Sequence, residues 1–324
     1  MLTYKKSFVA KALCAATFAA MAAGAQAQAP TTVVVAFPAG GPADTLARVV
    51  ASELESELKT TVVVENKPGG NGAIAASYVA RAAPDGKTLF LSSAGAIAIN
   101  PPLYPKLVYN PKKELQPVTM LVSTPEVLVV PAKGDIKSVE QFLKQAKDQP
   151  GTTTLSSSGV GSMPHMAISL LKAATQADIL HVPYRGAAPA ITDTVGGQVG
   201  GFFGDISGLM PFITDNRVRP IGIAAPKRSA LLPDVPTFDE LGIKGVHANN
   251  WYGMFAPKAT PRETVDSLNT ALRAAMASES VQAYVKKSGI EATPTTPDEF
   301  EEIIDADTQK WADVIKAEGI TVNE

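Results

Sequence analysis

Cysteine is nearly absent from this 324-residue chain: Cys14 is the only one, and it falls in an N-terminal stretch with the features of a secretory signal. Lys5, Lys6 and Lys11 make a basic start, an alanine-rich apolar stretch runs to about Ala23, and Ala25-Gln26-Ala27 offers an A-x-A cleavage site. Leu13 rather than a small residue precedes Cys14, which argues against lipoprotein attachment. Removal of residues 1–27 leaves 297 residues without cysteine, hence without a disulfide, a thiolate nucleophile or a cysteine-held metal. The removed stretch carries three lysines and no acid, so the formal net charge moves from −2 to −5.

Other absences narrow the function further. No later apolar run has the length of a membrane span. Basic residues are in slight deficit, 29 against 31 acids, which argues against a nucleic-acid binder, whose affinity rests on clustered Lys and Arg. Neither Gly69-Gly70-Asn71-Gly72 nor Gly159-Val160-Gly161 completes G-x-G-x-x-G, and no G-K-[ST] follows a glycine loop, so a nucleotide site is not indicated. There is no H-E-x-x-H, and the three histidines, His165, His181 and His247, are scattered, so neither a metal nor a cofactor is expected. What remains is a chain with 45% apolar residues, enough to build large cores, and a length that suits two domains or one large one.

The organisation that is present is strand, glycine-rich turn, helix, repeated. The run 32–37 is apolar and stops at Pro38-Ala39-Gly40-Gly41-Pro42; from Asp44 the period becomes helical, with Leu46, Val49, Val50, Leu54 and Leu58 on one face. The same sequence of events recurs at 61–64, 88–91, 127–130, 153–155, 179–182, 199–203 and 221–224. Strands that lack polar–apolar alternation and are separated by helices indicate sheets buried on both faces. Ser138 with Gln141, Thr260-Pro261-Arg262-Glu263 and Thr296-Pro297-Asp298-Glu299 all have the form of helix N-termini. No low-complexity linker appears, so two domains would be joined by extended strands, with 120–127 and 249–257 as the crossing candidates.

Three strand ends, 38–41, 92–95 and 156–162, carry small donor-rich turns just before a helix start. A helix N-terminus presents unpaired N–H groups and about half a positive charge, so glycine and serine there can hold an anion without Lys or Arg. In open α/β sheets, ligands lie beyond the carboxyl ends of the strands, where these turns stand. Asp205, which ends an apolar strand, either caps the next helix or faces the cleft. In the cleft it would repel a dicarboxylate unless water or a proton intervened. Serines 156–158, His165 and Asp205 supply the residue types of a hydrolytic triad, but no G-x-S-x-G elbow accompanies them. His181, inside an apolar strand, reads as a core histidine, and Trp251 and Tyr252 suit either a hinge or a pocket wall.

The segments Phe37-Pro38-Ala39-Gly40-Gly41-Pro42-Ala43-Asp44, Val64-Glu65-Asn66-Lys67-Pro68-Gly69-Gly70-Asn71-Gly72, Ala83-Pro84-Asp85-Gly86, Asn100-Pro101-Pro102-Leu103-Tyr104, Ser157-Ser158-Gly159-Val160-Gly161-Ser162, His181-Val182-Pro183-Tyr184-Arg185-Gly186 and Trp251-Tyr252-Gly253-Met254-Phe255-Ala256-Pro257 occur in this order along the mature chain. Together they resemble the Bug-type extracytoplasmic receptors of tripartite tricarboxylate transporters. Ala73, where many such receptors have another glycine, and Ser169, where many have an acid, depart from the pattern. The resemblance implies an α/β, bilobed periplasmic-binding-protein-like (type II) fold, with residues 28–124 plus 250–324 as one lobe and 125–249 as the other. It implies a periplasmic, non-enzymatic receptor, expected to be monomeric, that captures a small organic carboxylate and delivers it to the membrane subunits. It carries Phe37, Ala39, Gly40 and Gly41 on one lobe and Ser157 and Gly159 on the other over as carboxylate contacts. Ser92, Ser93, Ser158, His165 and Asp205 join them as pocket positions. An acid at 205 implies a ligand with a donor group opposite its carboxylate. A secreted serine hydrolase and a periplasmic ligand sensor for a signalling partner are the alternatives.

Overall fold

A computed structural model of the protein describes residues 29–322; the expected signal segment with Cys14 lies outside them. Ten strands form one curled sheet whose central path runs β2-β1-β3-β9-β4-β7-β5-β6. β1 (Thr31–Val35) is parallel to β2 (Val62–Asn66) and to β3 (Thr88–Ser93). The long strand β4 (Leu115–Pro131) decides the architecture. From Leu115 to Pro125 it pairs antiparallel with β9 (Asn249–Pro257), which in turn pairs with β3, while β10 (Glu291–Ala292) lies against Val122 and Ser123. From Glu126 onward its partners change to β7 (Phe202–Asp205) and β8 (Val218–Ile223), and β5 (Thr154–Ser157) joins β7 and β6 (Leu180–Pro183) in parallel. Register shifts between Pro117 and Thr119, Met120 and Val122, and Leu128 and Val129 bend β4 along its length, as bulges do.

The alternation of side chains explains why the strands are apolar throughout. In β1, Val33 and Val35 face one core and Val34 the other; in β4, Val127 and Val129 face the first while Leu128 and Val130 face the second. Helices α1 (Pro42–Leu58), α5 (Ala187–Val195), α6 (Ile206–Thr214), α7 (Arg262–Ala277) and α8 (Glu279–Ser288) cover the first face through Leu46, Ile191, Leu209, Leu272 and Val281. Helices α2 (Ala73–Ala80), α3 (Val139–Asp148), α4 (Met163–Thr175) and α9 (Pro297–Ala317) cover the second through Val79, Phe142, Met166 and Trp311. Burying a side chain of this size contributes about 1.5–3 kcal/mol, so both faces must be apolar for the sheet to hold its two layers of helices.

Segment 249–257 pairs with β3 and the first part of β4, and just before its start Ala248 O accepts from Glu126 N–H at 3.2 Å. Two local expectations change. Thr260 caps nothing; its hydroxyl is buried without a hydrogen-bond partner, and α7 begins at Arg262 after an uncapped Pro261. Ser138 accepts from Gln141 N–H as expected, but the Gln141 side chain reaches back to Lys137 N–H instead of closing the box on Ser138. The box at Thr296 and Glu299 is complete.

Candidate functional site

The loop after β1 is set by a buried acid. Asp44, in the first turn of α1, accepts from Gly40 N–H at 2.9 Å, from Asn66 Nδ2 at 2.9 Å and from Arg48 Nε at 3.0 Å. Asn66 Nδ2 also donates to Phe37 O at 3.0 Å, so strand β2 and helix α1 clamp both ends of the loop. Burial pushes the Asp44 carboxyl up, but Arg48, the Gly40 amide and Asn66 outweigh it and hold it below the usual range. The N-cap of α1, Gly41, makes no side-chain cap, which leaves first-turn N–H groups without an internal partner.

Across from this loop stands the turn after β5. Ser162 caps α4: its hydroxyl donates to Gly159 O at 2.6 Å and accepts from His165 N–H at 3.4 Å. The turn is fastened from behind by two histidines. Ser157 Oγ accepts from Gly159 N–H at 3.1 Å and lies 2.6 Å from His181 Nε2, while His165 Nδ1 accepts from Gly161 N–H at 3.2 Å. The two imidazoles stack, 4.2 Å between centroids and 13° between planes. Burial lowers His165 to about 4, and burial together with His165 lowers His181 to about 3, so both rings are neutral at pH 7. Helix α5 begins nearby at Ala187 after Gly186, again without a side-chain cap.

These elements enclose a chamber of about 30 Å³, whose wall includes Phe37, Gly41, Pro42, Ser93, Ser158, Ser162, Ala187, Asp205, Asn250 and Tyr252. The starts of α1, α4 and α5 all contribute to it, and no Lys or Arg lines it. The two sides touch directly. Asn71 Nδ2 donates to Gly161 O at 2.6 Å, and a Cβ on Gly186 would stand 3.0 Å from the Pro38 ring. A larger cavity of about 600 Å³ lies beyond, lined by Phe37, Pro38, Gly69–Gly72 (Pro68 and Ile74 beside them), Tyr104, Ser158, Gly159, Tyr184 and Arg185.

The structure thus brings Phe37, Gly41, Ser93, Ser158 and Asp205 to the chamber and Gly159 to the outer cavity. It does not bring Ala39, Gly40, Ser92, Ser157 or His165 there. Ala39 and Gly40 form the exposed tip of the turn, and the Gly40 N–H is spent on Asp44. Ser92 is fully buried, with its hydroxyl unpartnered, on the opposite side of β3 from Ser93. Ser157 and His165 form the support beneath the turn, and His165 opens onto a separate outer groove with Ser169 and Lys172.

Asp205 does not cap α6. Its carboxylate accepts from Asn250 Nδ2 at 3.2 Å and from the Tyr252 hydroxyl, so an acid on β7 is bonded to two side chains of β9. Its neighbour across the ladder is Glu126, fully buried and absent from the expected set. Burial and the Asp205 charge push Glu126 well above the carboxylate range, and burial raises Asp205 against the bonds from Tyr252, Asn250 and Glu126. The signal for Glu126 was an acid opening an otherwise apolar strand; Asn250 and Ala187 carried none.

A mixed α/β sheet that changes partners along one strand, with uncapped helix starts facing a shared chamber, defines a solute-binding receptor of the periplasmic-binding-protein class. Comparison with known structures agrees: the periplasmic binding protein BugD superposes with a TM-score of 0.86 at 33% identity, covering 90% of this chain and 98% of that one. MatC from Rhodopseudomonas palustris, with bound malate, gives 0.84 at 32% identity over 88% and 98%. Rpa4515 of R. palustris, with adipate, gives 0.87 at 32% identity over 90% and 98%. Residues 46–320 match the tripartite tricarboxylate transporter family receptor, TctC, and the chain belongs to that family.

Proposed function

We propose that the protein captures a small organic carboxylate in the chamber between the turns after β1 and β5 and holds it without chemical change. The observation that carries this is the convergence of three helix N-termini on a chamber without a cation, where amide and hydroxyl donors meet an oxygen anion. MatC with malate and Rpa4515 with adipate support the ligand class. The parts that move are residues 29–124 with 250–322, and 125–249; the change of partner in β4 between Pro125 and Glu126 supports that division. A ligand bonded to both parts favours their closed arrangement. Export to the periplasm, removal of residues 1–27, a monomeric state and docking of the loaded form on the transporter's membrane subunits complete the reading.

A hydrolytic reading has one observation behind it, the Ser157 Oγ to His181 Nε2 contact. It fails on access, because Ser157 is fully buried and lines neither cavity, and no carboxylate hydrogen-bonds to His181 among the described residues. A sensor would use the same chamber and differ only in the partner that reads closure. The test is a thermal-shift screen of organic acids, followed by calorimetry and mass spectrometry on each acid that binds. Binding should be one to one, raise the melting temperature by ligand linkage, about 2.7 kcal/mol at a hundredfold excess over Kd, and return the acid intact. Turnover of a bound acid, or modification of Ser157 by a serine-directed reagent, would overturn it.

A further inference from the structure

Glu126 is the buried acid that capture of a carboxylate leaves unused. It stands in β4 where the pairing passes from β9 to β7, directly opposite Asp205, and no donor reaches either of its carboxyl oxygens. The groups facing the two carboxyls are the Tyr252 hydroxyl and Asn250 amide on β9, Tyr284 on α8, and the start of α6, which Asp205 precedes. None of them is a cation. Two ionised carboxylates are both acceptors and cannot bond to one another, and buried together without a positive charge they cannot both stay ionised. A proton therefore resides in the pair. It lies on Glu126, the more deeply buried of the two and the one without donors, while Asp205 keeps its charge on the bonds from Tyr252 and Asn250.

Asp205 also lines the chamber, so an acid bound there meets the Asp205 charge at close range with no Lys or Arg among the lining residues. We propose that a proton is the second ligand of this receptor: when a carboxylate enters the chamber, Asp205 takes up one proton from solvent, and the Glu126–Asp205 pair becomes fully neutral. Asn250, Tyr252 and the protonated Glu126 occupy three of the four lone-pair sites of the Asp205 carboxylate, so the added proton can take the fourth, turn into the chamber and donate to a ligand oxygen. The inference rests on the carboxylate site above, and it departs from the expectation of a donor-bearing ligand. An ammonium group placed against Asp205 would preserve its charge and recruit no proton.

Isothermal titration of the purified protein with malate and adipate, in buffers of different ionisation enthalpy between pH 7 and 8, reads the number of protons directly. Both acids are fully ionised there, so any uptake belongs to the protein. The expected result is uptake of roughly half to one proton per bound acid, with affinity falling about threefold to tenfold per pH unit across that interval. Asp205→Asn should abolish the uptake, flatten the pH dependence and bind the acid at pH 8 at least as tightly as wild type. A residue that merely gripped the ligand would give weaker binding. Zero or negative proton uptake by the wild-type protein overturns the proposal even if Asp205→Asn does not fold, as does uptake that survives in Asp205→Asn. If neither these acids nor any other in the thermal-shift panel binds, the carboxylate site itself is refuted, which is a different outcome from binding without protons.

Discussion

Substitution of Gly161 separates closure of the cleft from folding of the chain. Gly161 has φ +78, and a Cβ there would lie 2.9 Å from Asn100 Oδ1, 3.1 Å from Leu103 Cδ2 and 3.2 Å from Asn71 Nδ2, all on the opposite side of the cleft. Gly161→Ala therefore carries two separable costs. The left-handed backbone costs about 1–2 kcal/mol whether the cleft is open or closed, and lowers the melting temperature by a few degrees. The crowding, about 1–2 kcal/mol, and the loss of the Asn71 to Gly161 hydrogen bond, about 1 kcal/mol, apply only when the two sides meet. Their sum, roughly 2–3 kcal/mol, corresponds to a 30- to 150-fold loss of affinity by calorimetry. Gly151→Ala is the control: its φ is +76 and a Cβ would meet nothing within 4 Å, so the melting temperature should fall without a change in affinity. A Gly161→Ala protein that binds its acid within threefold of wild type would refute the argument that the Asn71–Gly161 contact belongs to the ligand-holding state.

The support beneath the second turn predicts an acid limb of instability. His165 and His181 titrate lower when folded, at about 4 and 3, than when unfolded, so the unfolded chain binds more protons below pH 6.5 and the native state loses stability as pH falls, by about 2 kcal/mol per ring at pH 5. His165→Phe, which keeps a stacking ring without a titratable group, should shift the midpoint of acid unfolding downward in a circular-dichroism titration. Asp44 works in the same sense at lower pH: its depressed pKa contributes stability above the unfolded value of 3.8 and loses it as pH falls further, and Asp44→Asn should cost about 1.5–3 kcal/mol in urea unfolding at pH 7 while weakening binding through the loop it holds. Gly253→Ala would place a Cβ 2.2 Å from Phe300 Cζ in the fully buried cluster of Trp251, Phe255 and Phe300, and should destabilise by about 1–3 kcal/mol or more, with ligand affinity per folded molecule unchanged.

Much of this was legible because burial on both faces writes itself into a strand as an unbroken apolar run. Val33-Val34-Val35 and Val127-Leu128-Val129-Val130 each feed two cores, and their ends could be found from the glycine and serine that follow. What the residues did not disclose is which atoms of those turns remain free. Gly40 and Ser157 look like ligand donors until the Asp44 carboxylate and the His181 ring are seen to occupy them. Those partners lie 4 and 24 residues away and meet the turns only through the packing of α1 and β6. The pairing of Glu126 with Asp205 is hidden for the same reason: 79 positions apart, they are neighbours only because β7 runs antiparallel to β4.

The absence of a cation from the chamber bears on what a receptor of this kind must do, which is to let go. A helix N-terminus contributes about 0.3–1 kcal/mol to a nearby anion and up to about 2 kcal/mol when partly buried. In the proposed site, three of them would give a grip of a few kcal/mol, spread over donors that belong to both sides of the cleft. A buried arginine would concentrate that attraction on one side, hold the acid in the open state as well, and leave a costly unpaired charge when the site emptied. The uncapped amides at the starts of α1 and α5 are hydrated when the cleft opens and are left with little penalty. Asp205 sharpens the same logic, since an anion it opposes is held only while both sides stand together and a proton is present; separating the sides breaks the bonds from Asn250 and Tyr252, returns the carboxylate to water and restores the repulsion. Release then follows from opening alone, without a group having to be pulled from a strong ion pair.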